Sequence, residues 1–79
     1  MTPLQTAVRR AGSLLGRAGV ASPEHDARAL AAHVLGLARP GDLVLVDDLG
    51  EHAPAYEELV ARRARREPLQ HLVGSVGFR

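Results

Sequence analysis

The sequence predicts an all-α fold, a small bundle of four to five helices that runs into the start of a β-strand. Three observations carry this. Alanine, leucine and valine supply nearly all the apolar content, and Tyr56 and Phe78 are the only aromatics. Such a core suits close-packed helices better than a β-sandwich, where aromatic and β-branched residues usually dominate. Apolar residues recur at three- and four-residue steps, and proline and glycine punctuate them as helix starts and stops. The chain of 79 residues allows one domain. At that size roughly 60% of the unfolded surface is buried, so the core is near the lower limit for independent folding.

The first helix is predicted from residue 2 or 3 to residue 18. Leu4, Ala7, Val8, Ala11, Leu14, Leu15 and Ala18 share its face. Thr2 reads as its N-cap and Pro3 as its first helical position. Gly12 and Gly16 each cost about 1 kcal/mol against alanine, which suggests a close helix crossing, and Gly19 ends the element. The second helix is the clearest, "SPEHDARALAAHVLG". Ser22 caps it, Pro23 takes the first position, and Glu24 and Asp26 place negative charge where the helix dipole favours it. Ala27, Leu30, Ala31, Val34 and Leu35 form the buried stripe, and Gly36 is the stop.

"RPGDLVLVDDLG" admits two readings. "LVLV" could be a buried strand, but a lone strand has no partner in a helical chain. A short helix over about 40–45 fits better, with Leu43, Val44 and Val46 capping the bundle and residues 47–52 forming a loop. The next helix spans about 54–66, with Tyr56, Leu59, Val60 and Ala64 on one face. Pro68 starts a fifth, short helix, "PLQHLV", ended by Gly74.

The absence of cysteine excludes disulfides and thiolate metal sites and fits a reducing cytoplasm. The N-terminal stretch has no continuous apolar run, so it is no signal peptide, and nothing has the length of a transmembrane helix. All ten basic residues are arginine, a bias expected of a GC-rich genome, and the net charge of +1 does not point to nucleic acid. Its distribution is uneven. Residues 42–58 hold six acids and no arginine, and Arg62, Arg63, Arg65 and Arg66 follow at once. Such blocks are either a solvated helix face or a partner-docking surface.

Arg63 falls near the middle of its helix's apolar face, while Arg62, Arg65 and Arg66 lie to the side or opposite. A guanidinium there must be paired. Asp26, at the border of the second helix's stripe, is the candidate partner, with His33 two turns along the same edge. A structural ion pair outweighs the alternative of a substrate-binding arginine. The four histidines lack metal-ligand spacing, and His71 reads as a packing or surface residue. There is no nucleophile motif or phosphate loop. A helix-turn-helix around "LLGRAGVASPEHDARALAAHV" would open its recognition helix with acids that phosphates repel, which argues against DNA.

"ASPEHDARALAAHVLGL", followed some way on by "LVARRARREPLQHLVGSVGFR", resembles the N-terminal domain of the HemK/PrmC family. The first segment matches at Asp26, Ala27, Leu30, His33, Val34 and Leu35. The second matches at Arg62, Arg63, Glu67, Pro68, Leu69, Leu72, Gly74 and Phe78, and departs at Gly77, where the family usually has an acid. The resemblance covers essentially the whole chain. It implies an S-adenosylmethionine-dependent enzyme that methylates the glutamine of the Gly-Gly-Gln motif in class I peptide chain release factors.

On that resemblance residues 1–74 are a helical substrate-recognition domain. Residues 75–79, "SVGFR", are then the first strand of a β-hairpin linker to a methyltransferase domain absent from the chain. With no partner strand, these last residues are expected to be disordered or paired with a neighbouring molecule. The family's cofactor loop and Asn-Pro-Pro-Tyr motif have no counterpart here, so no catalytic or cofactor-binding residue is expected, and no methyl transfer by this polypeptide alone. The expected partner is the release factor, met by Arg62, Arg65, Arg66 or the acidic stretch 47–58. A free-standing helical adaptor is the alternative.

Overall fold

Four α-helices and two 3-10 turns make up the structure, a computed structural model that describes residues 3–73. Helix α1 spans Leu4–Arg17 and buries Leu4, Ala11, Gly12 and Leu15. Helix α2, Pro23–Leu35, buries Asp26, Ala27, Leu30, Ala31 and Ala32. It is the centre of the bundle, packed against α1, against α3 (Ala53–Ala64), against α4 (Leu69–Val73) and against the 3-10 helix Pro40–Leu45. Among the described residues there is no sheet; one isolated antiparallel bridge joins Pro3 to Asp48.

The N-terminal ends differ from the expected caps. Pro3 is the N-cap of α1 and Leu4 its first helical residue; Thr2 lies outside the described residues. Ser22 stands at the N-cap of α2, but its side chain makes no capping hydrogen bond. Proline at the next position supplies the fixed φ, and the amide of Asp26 closes the turn on the Ser22 carbonyl at 3.0 Å.

Three helices end alike. The chain turns left-handed just past the last helical turn, at Gly19 (φ 89°), Gly36 (φ 73°) and Arg66 (φ 74°). In each case two amides fold back on the last turn. They are Gly19 to Gly16 and Val20 to Leu15 after α1, then Gly36 to His33 and Leu37 to Ala32 after α2. After α3 they are Arg66 to Arg63 and Glu67 to Arg62. This is the Schellman arrangement, which satisfies carbonyls the helix leaves free. Glycine takes the left-handed residue twice, and an arginine takes it once.

"LVLV" is the end of a 3-10 helix and the residue after it, not a strand. Leu43 and Val46 pack on the core, as expected of a cap. Val44 does not: it is 79% exposed and Leu45 80%. With three residues per turn, 43 and 46 eclipse one another on the inner side and 44 and 45 are left outside. The segment expected as loop also contributes to the core. The Leu4 amide donates to the Asp47 carbonyl at 2.9 Å, which seats Leu49 inside at 1% exposure. Residues 75–79 and Gly74 lie outside the described residues.

Candidate partner-docking site

Helix α3 ends in a turn of four arginines around a left-handed residue, and each guanidinium has a different fate. Arg62 reaches forward to Glu67, its Nη2 2.9 Å and its Nε 3.1 Å from Oε1. The contact holds the Glu67 carboxyl below its ordinary range, chiefly through that hydrogen bond. Arg63 turns inward: its Nε donates to Asp26 Oδ2 at 2.8 Å and its Nη1 to the Glu67 carbonyl at 3.0 Å. Arg66 lies back across α1, its Nε 3.1 Å from the Ala18 carbonyl. Arg65 is exposed and makes no ion pair or side-chain hydrogen bond among the described residues. It offers free positive charge and a full set of planar donors.

Asp26 and Arg63 meet across the α2–α3 contact with side chains 6% and 20% exposed. His33 is exposed and has no hydrogen bond to the pair, because it lies two turns further along α2 while the second arm of Arg63 goes to Glu67. The neighbouring Ala27 carbonyl accepts a hydrogen bond from the Tyr56 hydroxyl at 2.9 Å. Two α3 side chains seven positions apart therefore converge on one turn of α2. Burial pushes the Tyr56 phenol above its ordinary value. The expected docking residues thus divide: Arg65 is free, while Arg62 and Arg66 are exposed in part but already bonded within the chain.

The acidic stretch is also divided. Asp48 Oδ1 accepts from the Gly50 amide at 2.5 Å, while Asp47, Glu51, Glu57 and Glu58 face solvent. Among the described residues no group of three metal-binding side chains comes together, and no helix is long and apolar enough to cross a membrane. Sequence reasoning missed the left-handed Arg66 and its bond to α1. The signal was there: the α3 pattern stops at "ARREP" with no glycine at the position where one is usual.

Residues 6–74 match the family model described as the PrmC N-terminal domain. A release factor glutamine methyltransferase of Mycolicibacterium smegmatis is 54% identical over 99% of this chain and 28% of its own length. One of Corynebacterium glutamicum is 50% identical over 95% of the chain and 26% of its own. One of Streptomyces coelicolor is 47% identical over 100% of the chain and 27% of its own. The chain therefore spans about a quarter of the length of the curated relatives it matches. No solved structure gives a significant match.

Proposed function

Because this chain belongs to the PrmC N-terminal domain family, we propose that it is the docking domain of a release-factor glutamine methyltransferase. The observation that carries this is the match of residues 6–74, together with relatives named for that activity along nearly the whole chain. On this reading residues 1–74 hold the release factor and residues 75–79 lead toward a catalytic part. Holding a protein substrate so that one glutamine meets a distant active site can contribute several kcal/mol to the rate without any catalytic group here.

The cofactor of such an enzyme is S-adenosylmethionine, and the described residues do not fit it. A nucleoside site of that kind is built at the glycine-rich end of a strand, whereas the glycines described here stand within helices or turns. No chemical step is assigned to this chain. Its contribution is contact and steering, in which Arg65 is an unengaged cation and Glu51, Glu57 and Glu58 are among the exposed anions.

Titration of the purified chain with a class I release factor tests the proposal. Saturable binding that weakens with added salt is expected, with Arg65→Glu slowing association several-fold. Absence of saturable binding overturns it.

A further inference from the structure

A further feature of the described surface lies away from the arginine turn, an open groove of about 800 Å³ between α1, the start of α2 and the 3-10 helix. Its apolar side is formed by Val8, Leu43 and Val44, and its walls carry Arg9, Arg28 and His25 against the single acid Glu24. Neither Arg9 nor Arg28 has an ion-pair partner among the described residues, although six acids stand in residues 42–58. Val44, 79% exposed, is held at the groove edge by Leu43 and Val46, which pack on the core on either side of it.

We propose that this groove receives an acidic segment of the release factor that carries an apolar side chain. The inference rests on the docking reading and deepens it by naming a face and a chemistry. The apolar side chain would lie against Val8, Leu43 and Val44, and carboxylates beside it would meet Arg9 and Arg28. Charge complementarity selects an acidic segment over a basic one. The uncovered valine makes the contact more than electrostatic. Planar guanidinium groups on both walls suit carboxylates, which they can bind in a bidentate manner.

The test is binding of a purified class I release factor to the wild-type chain, to Arg9→Glu/Arg28→Glu, to Val44→Asp and to Arg65→Glu. All four positions are exposed, and circular dichroism and melting verify that each variant is folded. The proposal expects affinity at least about tenfold weaker for the double reversal and for Val44→Asp, and a smaller loss for Arg9→Lys/Arg28→Lys, which keeps the charge but not the paired donors. If both groove variants bind within about twofold of wild type, a shift below 0.5 kcal/mol, the groove is overturned. If Arg65→Glu alone then weakens binding, the docking reading survives. If the wild-type chain does not bind at all, both fail. Should the double reversal misfold, Val44→Asp decides alone, since its side chain supports no packing.

Discussion

Arg63 and Asp26 sit on the inward faces of α3 and α2, and the value of their contact depends on what is left when one is removed. Arg63→Met strands a carboxylate that is 6% exposed, with no other side-chain partner among the described residues. Breaking a buried pair in this way costs about 3 kcal/mol. For a domain this size that lowers Tm by on the order of 15 °C. Asp26→Leu/Arg63→Met removes both charges and recovers most of the loss; calorimetry of the two variants separates the pair from mere packing. Tyr56 gives a second, pH-dependent prediction. Its folded pKa is raised by burial, so the fold favours the protonated phenol. That contribution is complete below the unfolded value of about 10 and is lost as pH rises beyond it. The chain has no lysine or cysteine, so Tyr56 is the one side chain whose ordinary pKa lies between about 9 and 12. Tyrosinate absorbance and loss of helix should rise together, and Tyr56→Phe should abolish the dependence. At this scale the inward placement of residues 26 and 63 was legible, because helical periodicity assigns faces. The Tyr56–Ala27 bond was not: periodicity marks Tyr56 as buried but does not say which carbonyl its hydroxyl finds.

Gly16 and Gly19 stand three positions apart and tolerate a side chain very differently. Gly16 is exposed within α1, and a Cβ there would meet Pro23 at its Cγ (3.7 Å) and Cβ (3.9 Å), both ordinary contacts. Gly16→Ala should stabilise the protein by about 0.5–1 kcal/mol, read as a Tm rise of several degrees. The start of α2 does pass both Gly12 and Gly16, but at ordinary contact distance, so the crossing does not require glycine at either position. Gly19 is the opposite case. At φ 89° an alanine is strained, and its Cβ would stand 2.6 Å from Arg66 Nη2. The guanidinium can swing away, so the backbone term dominates: Gly19→Ala should destabilise by about 1 kcal/mol or more and release the Arg66–Ala18 bond. Elements with strong local punctuation, α2 above all, were legible to within a residue. The span after α2 was less so. Whether residues 43–46 form a strand or a turn is decided by eclipsed packing at 43 and 46, and Leu49 enters the core through a backbone contact with α1, both non-local facts.

At the scale of the whole molecule, a helical bundle was legible because every apolar stripe had the same period. The place where a partner would sit was not, because a groove is made by three elements whose relative placement no single stripe encodes. Val8, Arg9, Arg28 and Val44 are scattered through the sequence and meet only in the fold. The same view gives the last prediction. If the chain docks release factor and carries no chemistry, it should transfer no methyl group alone and should inhibit an enzyme that needs the same surface. Added to a full-length release factor glutamine methyltransferase, it removes free substrate by mass action. At a chain concentration equal to its Kd, the apparent KM for release factor should rise about twofold, with kcat unchanged. The inhibition should be relieved by more release factor and be indifferent to S-adenosylmethionine. Competition with the cofactor instead would place the chain at the catalytic site, and no inhibition at a saturating excess would mean that the release factor's recognised surface is not the one this bundle covers.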